Sequence, residues 1–590
     1  MALSQTKEKN TPEVSGLFQK TDAFFDRHMH LFQWILPLLG CIMALMMYQG
    51  KISIGNDDAL YIVSAYKMGL NPFDNPYTAS APLYIIILSF VTKIFGMQLL
   101  PMKILNMLFY IGSVFFFFKA LKNKIPSTIL VFSLLMYVFN WVLLEYASFT
   151  YTEALYLFLI SLLFLTFSRL LDLDNAESVA PKKKLIYVGC LGLLSVLIFT
   201  TRNIAAVVPL CMFVLFVLAK KYKDGLFYLA FFAAFYLLRQ GIFEIIWPGL
   251  NQFNAQGSAM LLKDSYNPAM GKEDLGGMID RFLINARFYT VRYLESLGLM
   301  KAYTNLKPEN YGFIALLFSS LQVFAFFMAI RNKDRMMQLL SGIMLVLLGA
   351  TYFALQINWA QHRFIAVYTI MISASSFYVL YKLSADKKRN FLQIFVLLFM
   401  AAFLFSGIIS TTKRANENIP IAIANLKGDK YKGYSMDWVN FLKASEWCAD
   451  NLPKDAYVVS RKEPMSYIYG KGFNFYPIYK IPLDSVSGEP MRDADALIAY
   501  FRNAPYRVNM NELIKVKVEY FILAQLRVDV KRKISGQFIN TIHNCLYPIE
   551  EKYPGCLELV HTEGTDEITQ VVRIDYDFID RMRAEREGGI

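Results

Sequence analysis

Eleven apolar stretches recur along the chain, at residues 31–50, 102–118, 126–144, 152–168, 185–199, 204–218, 225–247, 312–330, 336–354, 364–381 and 391–409. A helix needs about 20 predominantly apolar residues to cross roughly 30 Å of hydrocarbon, so the pattern predicts a polytopic bundle of about eleven membrane-spanning helices. A twelfth piece, PLYIIILSFVTKIFG at 82–96, is short, starts on Pro82 and holds Lys93. Whether it crosses decides the side on which every later loop falls. If it lies along or dips into the outer face, the loops 119–125, 169–184, 219–224, 331–335 and 382–390 share one side and carry seventeen Lys and Arg. The loops 145–151, 200–203 and 355–363 on the other side carry two. Short basic loops stay cytoplasmic. The expected topology therefore has the amino terminus inside and the carboxyl terminus outside. No small-residue cleavage site ends the run 31–50, so it reads as a retained anchor behind a cytoplasmic segment, 1–30.

Three elements then face outward from a membrane domain spanning 31–410. The first loop, 51–101, contains GNDDALY (55–61). A middle loop, 248–311, contains GGMIDRFLINARFYTVRYLESLG (276–298), whose apolar positions have helical spacing; its Arg281, Arg287 and Arg292 suit a helix resting among lipid headgroups. From 411 to 590 the composition becomes that of a soluble domain. DWVNFLKASEWCADN (437–451) and DADALIAYFRNA (493–504) read as helices, and AYVVS (456–460) and VEYFILAQ (518–525) as buried strands. A small extracytoplasmic α/β domain is expected there.

Composition sharpens this picture in two places. The chain is 55% hydrophobic and 18% charged, against about 25% charged in a soluble domain. Its net charge of +13 could suggest nucleic acid, but the basic residues fall where topology asks for them, so no nucleic-acid partner is expected. Cys448, Cys545 and Cys556 make an odd set in the outer domain, and a Cys545–Cys556 bridge stays open. Neither CxxC nor HExxH occurs, which leaves a structural zinc site or zincin without support.

The adjacent acids Asp57 and Asp58 have a plain reading: Asn56 caps a helix, and carboxylates in its first turn favour the helix dipole. That reading does not exclude chemistry. Neighbours on a helix point about 100° apart while i and i+4 share a face, so Asp57 aligns with Tyr61 and Asp58 is aimed elsewhere. Arg202 and Arg363 are the only strong cations in their short outer loops, where they either contact an anion or snorkel. Glu153, at the outer edge of a span, either lines a site or simply faces water. His362 beside Arg363 is a further candidate contact.

Several segments together resemble the GT-C superfamily of membrane glycosyltransferases, in its protein O-mannosyltransferase and aminoarabinose transferase branch. They are DDALY (57–61), APLYIIILSFVTKIFG (81–96), YASFTYTEALYLFLISLLFL (146–165), IFTTRNIAAVVPL (198–210), HRFIAVYTIM (362–371) and WCADNLPKDAYVVSRKEPMSYIYGKG (447–472). The chain departs from the family pattern in having Asp-Asp for Asp-Glu, Ala81-Pro82 for Pro-Pro, and Phe364 for Tyr. The resemblance implies a bacterial inner-membrane enzyme with its site and carboxyl-terminal domain in the periplasm. Such an enzyme moves a sugar from a polyprenyl-phosphate donor to a hydroxyl of a glycan, lipid or protein acceptor, inverting the anomeric centre. It implies Asp57 as base, Asp58 as second acid, and Tyr61, Glu153, Arg202, His362 and Arg363 as substrate contacts. No cofactor is expected, although the two acids could hold Mg²⁺ or Mn²⁺ through oxygen ligands. The alternatives are a ligase or polymerase of lipid-linked glycans and, in another class, a transporter.

Overall fold

All eleven apolar stretches are largely helical in the computed structural model, which describes residues 16–174, 181–249, 259–264, 270–296, 312–359, 361–385, 390–484, 488–509, 511–527 and 538–588. Among the described residues seven helices are long and apolar enough to cross a membrane: Leu17–Met46, Leu99–Leu121, Glu153–Asp174, Pro181–Thr201, Tyr222–Ile246, Arg335–Ala354 and Asn390–Leu426. An eighth is added if the bent pair Ser127–Val138 and Trp141–Ser148 forms one span. The chain is an integral membrane protein. Helix Leu83–Phe95 has 13 residues, about 20 Å at 1.5 Å per residue, which is short of the hydrocarbon thickness. The first helix starts at Leu17, within the segment expected to precede the membrane. The last is continuous from Asn390 to Leu426 and carries the chain from the bundle into the α/β region.

Breaks in the helices place the functional groups, and at the sharpest of them side chains satisfy the freed backbone, as an apolar surround requires. Ser127–Val138 and Trp141–Ser148 meet at 52°. At that corner Asn140 caps the second helix by accepting from the N–H groups of Val142 and Leu143, at 3.1 and 3.2 Å. The carbonyl of Tyr137 accepts from the Tyr110 hydroxyl (3.1 Å), and that of Phe139 from the Thr411 hydroxyl (2.9 Å). A second break follows Thr201, where extended Arg202 leads into a 3₁₀ turn, Asn203–Val207, and then helix Val208–Leu218 with Pro209 in its first turn. A third lies between helix Arg335–Ala354 and helix Thr369–Ser384, bridged by the single turn Arg363–Ala366.

The carboxyl-terminal region is the expected α/β unit. Its five-stranded sheet runs Phe475–Pro477, Tyr457–Ser460, Val518–Ala524, Thr569–Ile574, Leu557–Glu563; the first three strands are parallel and the last two pairings antiparallel. Helix Met436–Asn451 matches the segment expected to be helical, and Ala494–Arg502 starts on Asp493, whose carboxylate accepts from the Ala496 N–H. Cys545 and Cys556 are buried and unlinked. On one face of the sheet the apolar core of Trp438, Phe441, Met465 and Ile522 also takes in Ile52 and Ala59 from the segment 51–101. The loop carrying the acidic pair is therefore part of the core of the α/β unit.

The short helix Glu463–Tyr469 packs on the helix that opens with the acidic pair, Asp57–Leu70. Burial pushes the Glu463 carboxyl up to about 7, against the opposing pull of Lys67. A carboxyl that binds its proton more tightly when folded gives stability that is complete below its unfolded pKa of about 4.3. That stability is lost as pH rises through about 7. Thermal unfolding of the lipid-reconstituted chain should therefore shift to lower temperature as pH passes from below 5 to 8, and Glu463→Gln should make that shift smaller. An equal shift in the variant would show that another group is responsible.

Candidate active site

Gly55 and Asn56 form the turn that delivers the acidic pair. Asn56 is left-handed, with φ of 74°, and its side chain makes no cap hydrogen bond. Asn tolerates that conformation better than other non-glycine residues. Here it turns the chain so that the two carboxylates part company. Asp58 is wholly buried and folds back on the loop, accepting from the Ser53 N–H (2.8 Å), the Ser53 hydroxyl (2.8 Å) and the Ala59 N–H (3.0 Å). Burial pushes its carboxyl up to about 6, against the charge of Lys103 and the Ser53 donors. Asp57 lies on the other side, with its side chain 43% exposed into a cavity of about 520 Å³.

Four charged groups are linked in one ladder along that cavity. Arg202 Nη1 donates to Glu153 Oε1 at 3.1 Å, Arg363 Nε lies 3.9 Å from the same oxygen, and Arg363 Nη2 donates to Asp57 Oδ2 at 2.5 Å. Glu153 comes from the first turn of helix Glu153–Asp174, Arg202 from the break after Thr201, and Arg363 from the single turn Arg363–Ala366. Arg363 also lies over the rings of Tyr151 and Phe364, at 4.9 and 5.1 Å from their centroids. Tyr61 lines the cavity one helical turn beyond Asp57, with its ring edge-on to Tyr77 at 6.0 Å. Of the seven candidates, Asp57, Tyr61, Glu153, Arg202 and Arg363 share the cavity. Asp58 does not reach it, and His362 packs against the Trp141 ring at 6.0 Å.

A second cavity of about 360 Å³ adjoins the first, and Gly55, Asp57 and Gln361 border both. Its walls come from the bundle (Lys51, Glu145, Tyr146) and from the α/β region (Tyr434, Trp438). Gln49, which also lines it, has a buried Oε1 without a hydrogen-bond partner.

Arg281 departs from the expected headgroup contact. It is buried, donating to the carbonyls of Met260 (2.6 Å) and Leu262 (2.7 Å) and pairing with Glu273 at 3.1 Å, so it pins the segment that brings Met260 to the first cavity. Arg287 is exposed, and the side chain of Arg292 lies outside the described residues. The two adjacent acids point apart, so they do not form a common cation site. Among the described residues no group of three or more His, Cys, Asp or Glu is arranged to hold a metal.

Sequence reasoning missed Lys103. It is wholly buried near the start of helix Leu99–Leu121, donating to the carbonyls of Lys51 (2.8 Å) and Ser148 (3.1 Å), and its charge acts on Asp58. The signal was there: an ionisable side chain inside an apolar run is costly and marks a special site.

Comparison of the sequence with family models and with curated proteins found no match. The fold does have solved counterparts. The oligosaccharyltransferase of Archaeoglobus fulgidus in its apo form is 12% identical, with 85% of this chain and 70% of that chain covered and a TM-score of 0.51. The archaeal oligosaccharyltransferase AglB from the same organism, in complex with an inhibitory peptide and a dolichol-phosphate, is 11% identical over 84% and 69%, with a TM-score of 0.50. ArnT from Cupriavidus metallidurans in the apo state is 10% identical over 92% and 98%, at a TM-score of 0.49. At these identities the likeness to the first two is one of fold alone: a helical membrane protein with a carboxyl-terminal α/β region.

Asp58 and Lys103 are both wholly buried and act on each other through their charges, so removing either leaves the other's charge less compensated. Asp58→Asn and Lys103→Met should each lower the unfolding temperature in detergent. The double variant should lose less than the sum of the two, because its members share one interaction. Strict additivity in that cycle would show that the two groups stand independently.

Proposed function

We propose that this chain is an inverting glycosyltransferase of the GT-C type. It takes a sugar from a polyprenyl-phosphate donor and passes it to an acceptor hydroxyl at the outer, periplasmic face of a bacterial cytoplasmic membrane. The observation that carries this reading is the position of Asp57, whose carboxylate borders two adjoining cavities and is paired with a guanidinium in the first. A transfer with inversion needs that arrangement: acceptor on one side of the base, donor on the other, cations beside the leaving group.

In this reading the first cavity takes the sugar and phosphate of the donor, and the second takes the acceptor. The acceptor oxygen attacks the anomeric carbon as the bond from that carbon to the phosphate oxygen breaks. Asp57 receives the hydroxyl proton as the attack proceeds. Arg363 and Arg202 meet the negative charge that grows on the departing polyprenyl phosphate. Glu153 holds the two guanidinium groups at a fixed separation, and Tyr61 shapes the wall beside the sugar. Asp58, bonded to Ser53, positions the turn rather than touching substrate, and His362 has no part.

Two variants test the assignment in lipid vesicles, with a panel of polyprenyl-phosphate sugars as donors. Asp57→Asn should fold and insert normally while turnover falls about 10²–10⁴-fold, the range that proton transfer supplies. Wild-type turnover in that variant removes Asp57 from the role of base. Arg363→Ala should raise the KM for donor far more than the KM for acceptor; equal rises would mean that the arginine holds the fold and not the carrier.

A further inference from the structure

The stretch that leads to Asp57 is gripped along its length by residues beyond the membrane bundle proper. The N–H of Gly50 donates to Asn425 Oδ1 at 2.7 Å, and Lys51 Nζ donates to the Gly433 carbonyl at 2.5 Å. The Tyr434 hydroxyl accepts from the N–H of Ile52 and donates to its carbonyl, both at 2.8 Å. Lys462 Nζ then donates to the carbonyl of Ile54 at 3.1 Å, one residue before the turn that bears Asp57. With Ile52 and Ala59 buried in the core of the α/β unit, residues 50–59 are built as much by that unit as by the helices.

Lys462 is the one charged member of this grip contributed by the α/β unit. It is half-buried in the turn between strand Tyr457–Ser460 and helix Glu463–Tyr469, with its ammonium 5.8 Å from the Trp438 ring centroid. The charges that act on it are Arg461 beside it and, from the opposing loop, Asp57 and Asp58. Neither cavity is lined by Lys462, but Ile54, whose carbonyl it holds, borders the second together with Gly55 and Asp57.

We infer that Lys462 is a positioning residue for sugar transfer. By holding the Ile54 carbonyl beside the turn that delivers Asp57, it makes the α/β unit a part of the catalytic apparatus and not an appendage. The inference rests on the transferase reading for its catalytic consequence, but the clamp itself is a statement about residues 50–59 alone. Burial, helped by Arg461, pushes the Lys462 ammonium down to about 8 against the pull of Asp57 and Asp58. The clamp is therefore charged at neutral pH and loses its charge on mild alkalinisation, which an arginine at the same position would not do.

The experiment uses the full chain in lipid vesicles, comparing wild type with Lys462→Arg and Lys462→Met. Hydrogen–deuterium exchange over residues 50–58 reads the clamp without any substrate, and kcat and KM across one pH unit either side of 8 read its consequence. In Lys462→Met the exchange should speed up, and kcat should fall about tenfold, the equivalent of one charge-assisted hydrogen bond, with donor KM little changed. Wild-type kcat should decline on the alkaline side of that range, and Lys462→Arg should abolish the decline while keeping exchange slow. Wild-type exchange in Lys462→Met, or an alkaline decline that survives in Lys462→Arg, overturns the inference. A wild type that transfers no sugar from any donor would defeat the transferase reading instead, and the exchange rates would still decide the clamp.

Discussion

Arg363 cannot sit where it does without Asp57 and Glu153 around it. Its guanidinium is nearly enclosed, with 11% of the side chain exposed, and Glu153 is more deeply buried at 4%. Charges removed from water to that degree are tolerated only when paired. Alternating the signs, Arg202 to Glu153 to Arg363 to Asp57, lets each charge compensate its neighbours. The ladder joins four segments: two helix starts, a break and a single turn. The arrangement leaves an arginine at one end and a carboxylate at the other, both bordering one cavity.

The helix breaks serve the same constraint. A straight helix could not offer Arg202 or Arg363 to a shared space, because side chains one turn apart on separate long helices face whatever neighbour packs against them. Breaking the helix frees the backbone, and in a lipid-covered bundle the freed groups need partners. At the corner of residues 138–141 those partners are Asn140, Tyr110 and Thr411. The same corner brings Glu145 and Tyr146 to the second cavity. Irregular backbone appears where it lines a cavity.

The α/β region enters this scheme through one short strand of loop. Tyr434 bonds both polar groups of Ile52, Lys462 holds Ile54, and Ile52 and Ala59 fill the core beneath Trp438. On the bundle side Lys103 holds the carbonyl of Lys51 and compensates Asp58. The turn at Asn56 is thus fixed from both directions, and its left-handed backbone persists because its surroundings leave it no alternative.

Much of this protein was legible in the order of its residues. Apolar runs of membrane length announced the helices, the pattern of Lys and Arg set loops apart, and the short apolar runs AYVVS and VEYFILAQ marked two strands of the sheet. Asp57, Glu153, Arg202 and Arg363 stood out because charge at the edge of an apolar run is rare enough to need a reason. What the order of residues left undetermined was which carboxylate of the pair would face the cavity. Helical geometry separates Asp57 from Asp58 but does not orient either, and the choice was made by Ser53, whose N–H and hydroxyl give the second one its partners, with the charge of Lys103 acting on it. Nor does any local pattern join Lys462 to Ile54, 408 residues apart, or Arg363 to Asp57, 306 apart. Periodicity is a property of neighbouring backbone and can be read along a line; the meeting of distant charges is a property of packing, and exists only once the chain has closed on itself.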